Sequence, residues 1–569
     1  MKPNYIIIAI LISALFSASC SDTPPAPCPP LPNENQLQWQ EMEMYAFIHY
    51  SLNTYTDQEW GYGNEDVSLF NPKNLDCRQW AKVCKQSGMK GIIFTAKHHC
   101  GFCMWPSAYT EYSVKNAPWK GGKGDVVKEL AEACREEGLK FAVYLSPWDR
   151  NHPDYGHPEY ITYFRNQLRE LLTNYGDIFE VWFDGANGGD GYYGGANETR
   201  TIDRTTYYQW PETYKMIREL QPKCVIWNDG GDRGDLRWVG TEAGYVGETN
   251  WSLLYRTGDV PYQMLHYGVE DGDVWCPGET NTSIRPGWFY HDAENEHVKS
   301  LSKLMDTYYK SVGRNSTLLL NFPITPDGRI HPNDSIRGIA FAKMINEVFD
   351  KGRVNFATQK DGKSTILDFG NSVKVNRFLA EEDIALGQRV KKFSLEAFVN
   401  NQWQLLRDSL VEQGDGLTTI GHRRIICFPT IETTKLRFTV LESKATPIIK
   451  KLGVYLAPEL TPDIPDSGEK KSSSLHIFFG SPKQMFIDWD TEQTITEFRY
   501  LPPQDGNGTI THYTLYGSTD WNNWTKLSSG EFSNIVNNPI WQSVRFDAAK
   551  VRVLKFEADK LASGERMGY

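Results

Sequence analysis

The run Asp125-Val-Val-Lys-Glu-Leu-Ala-Glu-Ala-Cys-Arg-Glu-Glu-Gly138 is followed almost at once by Lys140-Phe-Ala-Val-Tyr-Leu-Ser146. The first stretch reads as a helix from Asp125 to Glu137 stopped by Gly138, and the second as a short apolar strand buried on both faces. The same grammar extends outward in both directions. Strands are expected at Ala46–His49, Gly91–Thr95, Ile178–Phe183 and Cys224–Trp227, and helices at Asp76–Ser87, Glu159–Tyr175 and Glu212–Leu220, each helix followed by Gly or Pro. A later helix, Ala293–Val312, leads into Ser316–Asn321, and a last one covers Ser335–Phe349. Repeated β-α order predicts a parallel sheet covered by helices, an α/β fold of the (β/α) TIM-like barrel type.

In that frame His49, Lys97-His98-His99, Tyr144 to Ser146 and Asp184 stand at the C-terminal ends of their strands, the catalytic face of such a barrel. Asp184 follows Val181-Trp-Phe183 and precedes Gly185, so a carboxylate leaves a dry strand between aromatic walls. A buried acid without partners is costly, which makes it a functional candidate; a helix cap or a brace for an arginine is the structural alternative. His98, His99, Cys100 and Cys103 also raise a zinc cluster, although adjacent ligands crowd a tetrahedron.

After Arg353 the pattern changes to short alternating segments, such as Lys391–Phe398 and Thr434–Val440, which predict antiparallel sandwiches. The expected organisation is a signal peptide over 1–19, a Pro-rich tether over 20–35, a catalytic barrel over 36–353, a β-sandwich over 354–457, a linker over 458–474 and a second β-sandwich over 475–569. Lys2, the apolar run Tyr5–Phe16 and small residues before Cys20 have the layout of a bacterial lipoprotein signal, with Cys20 as the lipid-modified residue. The protein is therefore expected to be exported, to the periplasm or cell surface, and to meet a membrane only through that lipid. The nine later cysteines are scattered and odd in number, so most are expected to be buried thiols. With 71 acidic against 60 basic residues the net charge is −11, which argues against nucleic acid as a partner. The 18 Trp and 29 Tyr suit sugar-stacking surfaces as well as packed β-domains.

From Trp39 to Pro332 the chain resembles the α-L-fucosidases of glycoside hydrolase family 29. The resemblance rests on Phe47-Ile-His-Tyr50, Phe94-Thr-Ala-Lys-His-His99 with Gly101-Phe102, Val143-Tyr-Leu-Ser146, Val181-Trp-Phe-Asp-Gly185 and Leu319-Leu-Asn321. It implies Asp184 as nucleophile of a retaining mechanism and His49, His98, His99 and Tyr144 as fucose contacts. One departure is Cys100, where the family pattern commonly has Asp. Arg237-Trp-Val-Gly-Thr-Glu242-Ala-Gly resembles the acid/base segment of the branch acting on α-1,3/1,4-linked fucose, so Glu242 is the expected acid/base. Asp229, Asp232, Asp235 and Glu248 compete with it, Glu248 most strongly. Ser283-Ile-Arg-Pro-Gly-Trp288 resembles a later barrel loop of the family, in which Trp288 stacks on the sugar and Arg285 bonds a hydroxyl; Glu59 and Trp60 lie in the loop after His49 and line the pocket or brace it.

Leu515-Tyr-Gly-Ser-Thr-Asp520 with Trp521 and Trp524, after Phe498-Arg-Tyr-Leu-Pro502, resembles the discoidin-like or family 32 carbohydrate-binding modules, here expected in shortened form. Together these resemblances imply an exo-acting, retaining α-L-fucosidase that acts on fucosylated oligosaccharides or glycoconjugates without metal or organic cofactor. The two alternatives are a catalytically inactive carbohydrate-binding lipoprotein and a metal-dependent barrel hydrolase using His98 and His99. Every residue assigned to the site precedes Arg353, so the tail is expected to be dispensable for a small aryl fucoside.

Overall fold

The structure, a computed structural model, describes residues 25–568 apart from 186–187, 229, 231, 259, 412–415 and 461–475. The signal peptide and Cys20 lie outside the described residues. Eight strands form one parallel sheet: β1 Met44–Ile48, β2 Gly91–Lys97, β3 Lys140–Leu145, β4 Glu180–Phe183, β5 Val225–Asn228, β6 Arg237–Trp238, β7 Gly278–Ser283 and β8 Thr317–Asn321. The order is β5-β4-β3-β2-β1-β8-β7-β6. A parallel bridge between Trp227 and Leu236 brings the two ends together, so the barrel is nearly closed.

The helices that coat it start and stop for local reasons. The Asp125 carboxylate accepts from Lys128 N at the head of Val126–Glu137, and Gly138 ends it in the left-handed region. Asp76 and Ser300 cap Cys77–Gln86 and Leu301–Lys310 in the same way. The last of these begins eight residues after the expected Ala293, because the capping hydroxyl belongs to Ser300 and the preceding stretch holds only a short turn, Asp292–Glu294.

Strand β7, Gly-Glu-Thr-Asn-Thr-Ser, has no apolar run and went unread in the sequence, yet every residue in it is buried. Several of its polar groups find partners inside the barrel, while Asn281 Oδ1 is buried without one among the described residues. Glu279 accepts from Tyr45 Oη (2.5 Å) and Trp182 Nε1 (2.7 Å), and Thr280 Oγ1 meets Ser316 Oγ at 2.8 Å. Glu180 lies against Glu279 and accepts from Trp39 Nε1 at 3.0 Å; burial, then the neighbouring carboxylate, pushes its pKa well above the usual range. One proton shared by the pair resolves the like-charge conflict.

Two antiparallel units follow. The first is a seven-stranded sheet built on the long strands Ser364–Glu382 and Arg424–Ser443, whose register shifts bend them. Its residues Leu379, Ile425, Cys427, Tyr455 and Ala457 belong to the same apolar core as the barrel and its helices. The expected tether is partly strapped to this unit: Cys28 N donates to Leu386 O and Arg389 Nη2 to Ala26 O, each at 2.9 Å. The second unit is a five-stranded sheet in the order His476–Ser481, Gln484–Tyr500, Gln542–Leu561, Ile510–Ser518, Thr525–Glu531, with its own core around Tyr500, Leu515 and Phe556.

That second unit does not hang away from the barrel. It meets the loops at the C-terminal ends of the strands through Arg150 Nη1 to Glu531 Oε1 (2.7 Å), His512 to Asp190 (3.5 Å), Asn538 Nδ2 to Pro286 O (3.0 Å) and Arg545 to Asp57 (3.6 Å).

Candidate active site

The strand ends converge on a floor of neutral rings. His49, one residue beyond β1, sets Nδ1 2.9 Å from Asn321 Oδ1 at the end of β8. His98 and His99 follow β2. His99 Nδ1 lies 2.7 Å from Ser146 Oγ, and its Nε2 faces Asp184 Oδ2 at 3.6 Å. Tyr144 pairs with Trp182 across β3 and β4, stacks on its ring at 5.5 Å, and donates its hydroxyl to Asp184 Oδ2 at 3.1 Å. The residue after Asp184 has to be glycine. Gly185 has φ +76°, and a Cβ there would lie 2.5 Å from the His99 ring.

Burial decides the protonation of this floor. It pulls His49 down to about 4 and His98 well below its usual value, and takes His99 to about 3 with help from the Arg150 charge. Each imidazole is therefore neutral, with one N–H and one lone pair; His49 gives its Nδ1–H to Asn321 Oδ1, which leaves the lone pair of Nε2 for a hydroxyl. His98 Nδ1 is buried without a partner among the described residues. Burial and the Asp184 charge push the Tyr144 phenol well up, so it stays a donor.

The second carboxyl comes from the loop after β6. Glu242 Oε2 accepts from Trp288 Nε1 at 2.7 Å and from Asn534 Nδ2 at 2.9 Å. Burial pushes Glu242 up to about 8, the two N–H donors oppose the shift, and the charges of Asp184 and Glu59 add to it. Glu242 is thus protonated at neutral pH within electrostatic reach of Asp184. The Asp184 side chain is 40% exposed toward the mouth. Two carboxyl groups in different surroundings, above a floor of neutral rings, can deliver a proton on one side of a bound group and an attacking oxygen on the other.

The remaining expected site residues divide. Trp288 is at the site: its ring packs on His49 with centroids 5.2 Å apart. Trp60 stands edge-on to His99 and to Trp148, at 5.5 Å from each. Glu59 is a brace, accepting from Trp288 N (2.9 Å) and Phe289 N (3.0 Å) and bonded to His291 (2.9 Å). Arg285 departs from expectation. It is fully buried, and its guanidinium is engaged by Asp334 at 2.8 Å beneath the loop, so it is not placed to bond a sugar hydroxyl.

The competing acids also separate. Glu248 sits at the junction with the first sandwich, where its carbonyl accepts from Arg424 and its charge acts on Arg314. Asp235 is a half-buried brace that accepts from Ile226 N at 2.8 Å and pairs with Arg218. Tyr214 donates to the carbonyl of Asp232, and Asp229 lies outside the described residues. Cys100 packs beneath the floor, its thiol 3.4 Å from Asn53 Oδ1 and 3.7 Å from Ser51 Oγ, while Cys103 faces Gly101 O and Gln167. The nine described cysteines are free thiols.

Four residues of this arrangement were not given roles from the sequence. Ser146 and Asn321 sit inside the quoted motifs and orient His99 and His49; Trp148 follows Ser146 by two residues. Asn534 carried no signal at all.

The sequence model of the family described as Alpha-L-fucosidase matches residues 30–340, and that of the F5/8 type C domain matches residues 476–568. The chain is 38% identical over 451 residues to "Alpha-L-fucosidase 1" of Arabidopsis thaliana, covering 73% of this chain and 85% of that protein. The chain belongs to the α-L-fucosidase family, glycoside hydrolase family 29. This enzyme is also similar in structure to a family 29 member from an unknown rumen bacterium, with TM-score 0.76 and 78% identity over 95% of this chain and 98% of that one. A Ruminococcus gnavus family 29 fucosidase solved in complex with fucose matches this fucosidase with TM-score 0.66 and 29% identity, covering 77% of this chain and 97% of that one.

Proposed function

We propose that the enzyme is an exo-acting, retaining α-L-fucosidase that releases terminal fucose, α-1,3/1,4-linked, from glycans by double displacement. Asp184 attacks the anomeric carbon; Glu242 protonates the leaving oxygen and then takes a proton from the incoming water. The observation that carries this reading is the contrast between the two carboxyls: Glu242 is half-buried under Trp288 and Asn534 with its pKa pushed up to about 8, while Asp184 faces the mouth beside the Tyr144 hydroxyl and His99. His49, His98 and His99 supply neutral partners for the ring hydroxyls, and Trp288 and Trp60 supply apolar wall for the fucose methyl. The fucose complex of the Ruminococcus gnavus relative supports the substrate class. The linkage reading rests on the segment Arg237–Gly244 alone.

Asp184→Asn is expected to fold normally and to lower aryl fucoside turnover by orders of magnitude. Glu242→Ala is expected to lose roughly 10²–10⁴ on a fucosylated trisaccharide, the usual worth of general acid catalysis. It should show a burst on the aryl substrate, and added azide should give fucosyl azide with net retention. Parental turnover by Asp184→Asn, or an inverted product, sinks the mechanism.

We also propose export with a lipid on Cys20, from the signal-like start of the sequence. Cys20→Ala should then move the protein from the membrane fraction to the soluble one, and equal partition of the two proteins would remove the lipid from the account.

A further inference from the structure

The acid/base candidate is held by two domains. Both donors on Glu242, Trp288 Nε1 from the barrel and Asn534 Nδ2 from the F5/8 type C domain, fall on the same oxygen, Oε2. A carboxyl oxygen has two in-plane lone pairs. With both of them accepting N–H bonds, Oε2 has no place for a proton, and the acid proton belongs on Oε1. Two donors arriving from different domains also stop the carboxyl from rotating to exchange its oxygens.

Asn534 is itself preset for this task. Its backbone lies in the left-handed region at φ 57°, which Asn tolerates better than most residues. Its carbonyl accepts from the amides of Asn537 (3.2 Å) and Asn538 (2.9 Å), and its neighbour Ile535 is buried in the domain core. On either side, Glu531 grips Arg150 and Asn538 grips the carbonyl of Pro286, so the loop is fastened to the mouth at two points flanking Asn534. A donor held in this way costs little reorganisation when the reaction begins.

We infer that Asn534 is a positioning residue of the fucosidase reaction: with Trp288 it fixes which oxygen of Glu242 carries the transferred proton, so that the C-terminal domain completes the acid/base half of the site. This rests on Glu242 being the acid/base. It limits the expectation that the tail is dispensable to small aryl fucosides with good leaving groups. In the first step the pair of donors holds the protonated acid with Oε1–H free to meet the leaving oxygen; in the second they stabilise the carboxylate that accepts a proton from water. The charged groups facing Glu242 are the carboxylates of Asp184 beyond β4 and Glu59 after β1, the latter bonded to His291. From the C-terminal loop the group that meets Glu242 is the neutral Asn534 amide, while Glu531 is paired with Arg150.

The test uses the full-length enzyme carrying Asn534→Gly, which keeps the left-handed backbone without strain, and Asn534→Asp, which keeps the shape and replaces the donor with an acceptor. Both are assayed on aryl fucosides whose leaving groups range from good to poor, beside Glu242→Ala. The expected result is a loss of roughly tenfold or more on the poorest leaving groups, as befits one hydrogen bond to a charged group, with fucosyl-enzyme formation from the best leaving group unchanged. The basic limb of the kcat/KM profile should move to higher pH in both variants. A lost donor destabilises the Glu242 carboxylate, and an added carboxylate repels it. An equal loss on every substrate, with no movement of the limb, would make Asn534 merely structural and overturn the inference. Parental kinetics in both variants would overturn it too. If Glu242→Ala itself shows no dependence on the leaving group, the acid/base reading fails and takes this inference with it. If Glu242→Ala shows that dependence and the Asn534 variants do not, only the role of Asn534 falls.

Discussion

The two β-sheet units that follow the barrel are both antiparallel but are joined to it by different physics. The first has a core of its own around Phe378, Phe393 and Phe438 but turns a second apolar face into the core of the barrel: Ile425 is 1% exposed, its amide donates to Gly313 O at 2.8 Å, and its side chain packs where the helix Leu301–Lys310 ends. The second keeps its core to itself and touches the barrel through ion pairs and side-chain hydrogen bonds around the mouth. A shared core makes two units one folding body, since neither can shed the other without exposing apolar surface. A polar dock joins two bodies that can stand apart, so its value lies in what it positions.

The comparison breaks most easily at its apolar end. Ile425→Ala removes a fully packed side chain and should cost about 2–5 kcal/mol. If the core is common, the barrel and the first sheet should unfold together at a lower temperature, in one calorimetric transition. Two separated transitions for those units would show that the core is not common. At the polar end, Glu531→Gln takes the charge partner from buried Arg150, and hydrogen bonds to charged groups are worth about 1.5–3 kcal/mol. That loss should appear as faster hydrogen exchange over 531–538 and weaker glycan hydrolysis, with the barrel transition in place. A matching drop in barrel stability would erase the distinction drawn above. The exposed pair Arg545–Asp57, with side chains 53% and 54% accessible, calibrates the series. Arg545→Ala should change stability by no more than about 1 kcal/mol.

Much of the barrel was legible because its signals are local. An apolar strand, a capped helix and a closing glycine are each decided within a dozen residues, as Asp125, Gly138 and Leu145 illustrate. The floor of the site was legible for the same reason, since strand ends are fixed by the strands: His49, His98, His99, Tyr144 and Asp184 all lie where the pattern puts them. Strand β7 was not, because its burial is balanced by hydrogen bonds to Tyr45, Trp182 and Ser316, residues remote in sequence. Arg285 misled for a related reason. Its loop has the right residues, but the guanidinium is engaged by Asp334 from the helix Pro332–Asn346. Asn534 was beyond reach, because a single amide in a polar turn becomes meaningful only once the domain carrying it has docked.

That docking gives the site a timetable. Asn534 follows Glu242 by 292 residues, and ribosomes add roughly 5–20 residues per second. The barrel and the first sheet, which ends at Tyr455, can close, bury the histidines and set Asp184 in the mouth while the last 79 residues before Asn534, roughly 4–16 s of synthesis, still separate Glu242 from its second donor. Through that interval the newborn chain has a sugar pocket but an unfinished proton donor. Full hydrolytic competence would be the last property this molecule acquires as it is made.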